Sequence, residues 1–142
     1  MSYRFYILFI IAVLFLGCHN NQQDTFQIGF SQCCDDSWRD VMNSEMQREL
    51  AFYNDIDFEI KVAGNNSQTQ IEQIKDLKSQ GVDLMIISPN EAEPLTDIIE
   101  TIYDAGIPVI LIDRKVNTKK YTAFIGGDNY EIGKTAADYI AS

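Results

Sequence analysis

The chain has 142 residues, 46% of them hydrophobic, with a formal net charge of −10 and a sequence pI near 4.3. That length and apolar content suit one packed domain and exclude global disorder. The acidic balance repels phosphate backbones and excludes general nucleic-acid binding, while three cysteines and one histidine provide no ligand-spaced metal cluster.

Arg4 precedes twelve apolar residues, Phe5–Leu16, followed by Gly17 and Cys18. As a helix this run spans about 18 Å, against roughly 30 Å of bilayer hydrocarbon, so it reads as the core of an export signal rather than a comfortable span. Residues 1–18 are read as a leader, and Gly17-Cys18 resembles a lipoprotein processing site with Cys18 as the lipidated residue. A plain cleaved leader or an uncleaved anchor are the alternatives. Residues 19–25, rich in Asn and Gln, read as a flexible tether. Export places the protein in the periplasm or on the extracytoplasmic side of a membrane.

The first strand is predicted at Phe26–Phe30, and Asp35 or Asp36 caps a helix whose apolar residues Trp38, Val41, Met42, Met46, Leu50 and Tyr53 share one face. A second strand over Asp57–Ala63 alternates Phe58, Ile60 and Val62. After Gly64-Asn65-Asn66, Ser67 or Thr69 caps a helix with a buried stripe of Ile71, Ile74 and Leu77, ending at Gly81. The third strand, Val82–Ile87, leads to a helix over Glu93–Ala105 carrying Leu95, Ile98, Ile99 and Ile102. Pro94 fits its first turn and Gly106 its end. A fourth strand at Ile107–Ile112, a basic loop, a fifth at Tyr121–Ile125 and a helix from about Tyr130 complete the pattern. Strands alternating with helices imply an α/β fold with a parallel sheet, right-handed crossovers and helices on both faces.

Most of these strands end in polar side chains: Ser31 and Gln32, then Ser88-Pro89-Asn90, Asp113-Arg114, and Gly126-Gly127-Asp128. In open parallel sheets ligands bind outside the carboxyl ends of the strands. Hydroxyl, amide, carboxylate and guanidinium groups at that edge suit a neutral polyhydroxy ligand. The first strand–helix turn, Ser31 to Ser37, lacks glycine, which argues against a dinucleotide fold. Asp35 and Asp36 follow the first strand as the acidic pair of a receiver would, but the third strand ends without an aspartate and no lysine follows the fifth. A hydrolytic nucleophile would need a base, and the single histidine, His19, lies in the tether. Cys33 and Cys34 are read as two thiols, with a vicinal disulfide as the alternative. No cofactor is implied.

IPVILIDR (Ile107–Arg114) and IGGDNYEIG (Ile125–Gly133), with VDLMIISPNEAEPL (Val82–Leu95), resemble the type I periplasmic sugar-binding proteins of the ribose-binding class, whose lobes also serve as effector domains of LacI-type repressors. SQCCDDSWRDVMNSEM (Ser31–Met46) is most similar to the extracytoplasmic sensor domains of hybrid two-component histidine kinases. The leader and the missing DNA-binding headpiece argue against a repressor. The resemblance implies that Asp113 and Arg114 grip sugar hydroxyls, a structural ion pair being the alternative. Trp38 either flanks an apolar sugar face or packs on the sheet, and Arg39 either reaches the ligand or points into solvent. Asn90 and Asp128 either touch the ligand or cap helices, and Gln32 is a further ligand candidate. Residues 26–127 are then the N-terminal lobe and 128–142 the start of a second lobe that this chain leaves truncated. The function so implied is binding of a small carbohydrate as the sensor of a two-component protein. A substrate-binding protein of an ABC sugar transporter is the alternative, and a hydrolytic enzyme a distant one. The partners are a sugar, a membrane through the leader or lipid, and a signalling or transporter protein.

Overall fold

A computed structural model describes residues 25–142, so the predicted leader, Cys18 and all but the last tether residue lie outside the described residues. Strands β1 (Phe26–Gln32), β2 (Ile56–Val62), β3 (Leu84–Ser88), β4 (Val109–Ile112) and β5 (Ala123–Ile125) alternate with helices α1 (Ser37–Leu50), α2 (Ser67–Gln80) and α3 (Ala92–Asp104); α4 (Asn129–Ala141) follows β5. The sheet is parallel throughout, in the order β2-β1-β3-β4-β5. The strand order reverses beside β1, so the loops after β1 and β3 face each other across a crevice, the place where such sheets bind ligands. Among the described residues no helix is long and apolar enough to cross a membrane.

One face of the sheet is sealed by α2 and α3. Ile74, Leu77, Leu95, Ile99 and Ile102 pack with Met85, Ile87, Val109 and Leu111, all fully buried. Periodicity in both helices dictates this, since residues three and four apart share a helix face. Gly29 is required where β1 meets that layer: a Cβ there would stand 3.1 Å from both Leu77 methyls and from Val82. The predicted helix boundaries shift at their caps. Asn66, rather than Ser67 or Thr69, caps α2, its side chain accepting from the Thr69 amide at 2.9 Å. β4 begins after Pro108, which has no amide proton to give, although its carbonyl accepts from the Met85 amide at 3.0 Å.

The predicted apolar face of α1 is rotated. Trp38, Val41 and Tyr53 are exposed, and the only buried residue of the helix is Arg39, with Met42, Asn43, Met46 and Leu50 half-buried behind it. Each residue turns a helix by about 100°, so bringing Arg39 inward swings Trp38 and Val41 out. The ion pairs described next hold Arg39 there.

Candidate functional site

The site begins with the cap of α1. Asp36 accepts from the Arg39 amide at 2.9 Å, which satisfies one of the orphan donors of the first turn. The same carboxylate takes Nη1 of Arg39, and Nη2 reaches Oδ2 of Asp113 at 3.0 Å. One guanidinium thus forks between a carboxylate on the β1–α1 turn and another just past β4, a geometry a lysine cannot reproduce. The alternative that points Arg39 into solvent is therefore wrong: the residue is 5% exposed. The backbone and side-chain bonds from Arg39 hold the Asp36 carboxyl below its ordinary pKa.

Asp113 has a φ of 68°, in the left-handed region that L-residues rarely occupy. The Arg114 amide donates to the Ile112 carbonyl at 2.8 Å, closing a γ-turn around it, while the Asp113 amide donates to the Ile125 carbonyl at 2.9 Å. Strain of this kind, pinned from both sides, gathers at functional positions. Oδ2 lies between Arg39 and the Nε of Arg114, 3.6 Å away, and Oδ1 takes no hydrogen bond among the described residues. Arg114, half-exposed, donates from Nη1 to the Asn90 carbonyl at 2.7 Å, tying the β4 loop to the β3 loop.

Asn90 is not the cap of α3, a place taken by Glu91 without a side-chain bond. Its amide donates to Gln70 Oε1 at 2.8 Å and its Nδ2 to Ser67 Oγ at 2.9 Å. Gln70, fully buried on α2, also donates from Nε2 to the carbonyls of Ser88 (2.9 Å) and Ser31 (3.3 Å), and so clamps the ends of β1 and β3 together. Asp128 does cap α4, its Oδ1 accepting from the amides of Tyr130 (3.0 Å) and Glu131 (3.2 Å). It also borders, with Asp113, Lys115, Phe124 and Asn129, a cavity of about 420 Å³. Gln32 is fully buried at the end of β1. Its Nε2 donates to the Cys34 carbonyl at 2.7 Å, and its Oε1 has no partner among the described residues.

Trp38 does not pack on the sheet. It is 56% exposed, carries the Arg39 guanidinium 5.4 Å from its ring centre, and joins Met42, Met46, Ile112 and Ile125 around an apolar hollow that also reaches Asp113. The carboxyl edge therefore combines two cations and two anions in contact, with no net charge among Asp36, Arg39, Asp113 and Arg114, beside an exposed indole. Such a set donates to and accepts from hydroxyls and offers an aromatic face, and each guanidinium in it faces a carboxylate, while Lys115 on the adjoining cavity wall lies over the Phe124 ring, 4.7 Å from its centre.

A family profile for the periplasmic binding protein domain matches residues 28–142. The chain belongs to that family. The fructose-binding periplasmic domain of a hybrid two-component system shares 54% identity and superposes with a TM-score of 0.80, over 82% of this chain and 39% of that one. The ribose import binding protein of Bacillus subtilis (strain 168) is 34% identical over 79 residues, 56% of this chain and 26% of its own length. An ABC transporter solute binding protein from Bacillus halodurans with bound myo-inositol is 28% identical, with a TM-score of 0.71, over 83% of this chain and 44% of that chain. The chain thus spans less than half the length of each of these relatives.

The predicted residues Asp113, Arg114, Arg39, Trp38 and Asn90 converge on one edge, and Asp128 borders it. Sequence reasoning misses two participants. Asp36 reads as a helix cap or as half of a receiver-like acidic pair, although a carboxylate three residues before an arginine at a helix start is placed to pair with it. Gln70 stands one turn before Ile74 on the buried stripe of α2, and a polar residue at a core position is its signal.

Proposed function

We propose that this chain supplies one lobe of an extracytoplasmic carbohydrate-binding domain, and that the domain is the ligand sensor of a two-component signalling protein. The observation that carries the reading is the charge-neutral bracket Asp36–Arg39–Asp113–Arg114 at the carboxyl edge of the sheet, beside an exposed tryptophan. Asp113 accepts from ligand hydroxyls through its free Oδ1, Arg114 donates to ligand oxygens, and Trp38 covers an apolar sugar face. A second lobe closes over this edge and completes the site, so that ligand biases an open–closed equilibrium by its higher affinity for the closed form. The role is binding, not catalysis. The 54% identity to a sensor domain that binds fructose favours the sensor reading and a neutral hexose-class ligand. The import and ABC-transporter names among the relatives support a transport-linked receptor as the second reading.

Calorimetric titration of the full-length protein with fructose, ribose, glucose, myo-inositol and glucuronate tests the proposal. Binding of at least one neutral sugar, with glucuronate rejected, is the expected result; tight binding of the acid alone would remove the charge-neutral bracket as the basis of recognition. Coupling of the bound sugar to phosphoryl transfer in the same polypeptide separates sensor from transport receptor.

A further inference from the structure

The turn that carries Asp36 also carries Cys33 and Cys34, whose buried sulfurs the proposed ligand contacts do not use. The two Sγ atoms are 3.0 Å apart, closer than two sulfurs rest in van der Waals contact. Both residues are buried and unbridged, Cys33 completely and Cys34 all but 7%. Cys33 Sγ lies 3.8 Å from Ser88 Oγ at the end of β3, and Cys34 Sγ 3.9 Å from Asp36 Oδ2. The pair therefore sits between the strand ends and the ion-pair bracket.

We propose that Cys33 and Cys34 are a reversible redox modification site, in which oxidation joins the two thiols as a vicinal disulfide and reshapes the turn that holds Asp36. The relatives include a domain named as periplasmic, and that compartment is oxidising. The oxidant is a low-molecular-weight disulfide. The Cys34 thiolate attacks it, one S–S bond breaks and the first thiol leaves. The Cys33 thiolate then attacks the Cys34 sulfur of the mixed disulfide, expelling the second thiol. Two electrons pass to the oxidant, one S–S bond is lost and one formed, and the two cysteine protons end on the two released thiols.

Ring closure conflicts with the present backbone. Consecutive Cα atoms across a trans peptide stand about 3.8 Å apart, below the roughly 4.4–6.8 Å that disulfides normally span. The Cys33 carbonyl is held by the Asn65 amide at 2.7 Å and the Cys34 carbonyl by Gln32 Nε2 at 2.7 Å. Closing the ring twists the peptide between these pins, and Asp36 follows two residues on. Burial, and after it Cys33, pushes the Cys34 thiol up to about 11, with Asp36 adding to the rise and Arg39 opposing it. Exchange is accordingly slow at neutral pH and quickens about tenfold per pH unit on the way to that value.

The test uses the full chain carrying Cys18→Ser, which leaves Cys33 and Cys34 as its cysteines. After oxidised glutathione at pH 9, unfolding and maleimide labelling, we expect no label, a monomer, and a mass about 2 Da lighter than the reduced form. Dithiothreitol restores two labels. Trp38 is the single tryptophan, and its ring faces Arg39, so its emission should change on oxidation and revert on reduction. Cys33→Ala and Cys34→Ser, each checked for folding by circular dichroism, should abolish that change. Two labels retained after oxidation, a lasting glutathione adduct, or a disulfide-linked dimer would each overturn the proposal. An effect on sugar affinity rests additionally on the proposed function, but the labelling and Trp38 readouts need no sugar, so the two ideas fail separately.

Discussion

Replacing Arg39 by Met removes the cation that two carboxylates share while keeping most of the apolar stem. The Arg39 side chain is 6% exposed, and those of Asp36 and Asp113 are 45% and 37% exposed. Removing one partner of a fully buried ion pair costs about 3–5 kcal/mol, whereas exposed pairs contribute about 1 kcal/mol or less. A buried cation facing half-exposed anions falls between, so Arg39→Met should destabilise the chain by about 2 kcal/mol. For a domain of this size that corresponds to a melting temperature lower by roughly 8 °C. Arg39→Lys should retain part of the stability, because one ammonium cannot fork to both carboxylates. Urea unfolding followed by far-ultraviolet circular dichroism measures both. A loss below about 0.5 kcal/mol for Arg39→Met, within the range of an ordinary surface change, would refute the claim that this guanidinium organises the edge.

Asp36 has a folded pKa below its unfolded value, so its contribution is complete above the unfolded pKa and is lost as pH falls through the folded one. Asp36→Asn should therefore be less stable than the parent at pH 7 and flatten the stability decline below about pH 4, as pH-dependent urea midpoints will show. Gln70→Leu strands two strand-end carbonyls and the Asn90 amide, and should cost about 2–3 kcal/mol in the same assay. Gly29→Ala presses a methyl against Leu77 and Val82 and should cost about 1–2 kcal/mol. Cys18→Ser should shift the exported protein from the membrane fraction to the soluble one if Cys18 is acylated, a change that cell fractionation reads.

The α/β order, the parallel sheet and the packing of α2 and α3 were legible because Ile74, Leu77, Leu95, Ile99 and Ile102 repeat at helical spacing and the strands are short apolar runs between turn residues. The edge was legible too, since Asp113, Arg114 and Asn90 each follow a strand in the chain. The orientation of α1 was not. Its apolar residues outnumber Arg39, and hydrophobic spacing alone turns Trp38 and Val41 inward; the outcome depends on Asp113, 74 positions away, meeting the Arg39 guanidinium. The choice of Asn66 over Ser67 as the cap of α2 is a matter of one residue among neighbours that all cap well. Gln70 was hidden for the opposite reason: a polar residue on a buried stripe looks like an interruption until the carbonyls it satisfies are in place.

Whether Asp113 and Arg114 grip a sugar at the sheet edge is tested most directly by isothermal calorimetry on the full-length protein. The titrations use the sugar that binds best, with Asp113→Ala, Arg114→Ala and the outer-helix control Glu100→Ala. Losing one partner of a buried, charged hydrogen bond costs about 2–5 kcal/mol of binding, so each of the first two changes should weaken affinity about thirtyfold or more while the control leaves it unaltered. Full affinity in Asp113→Ala and Arg114→Ala, accompanied by lower melting temperatures, would make the pair purely structural and contradict its role in binding.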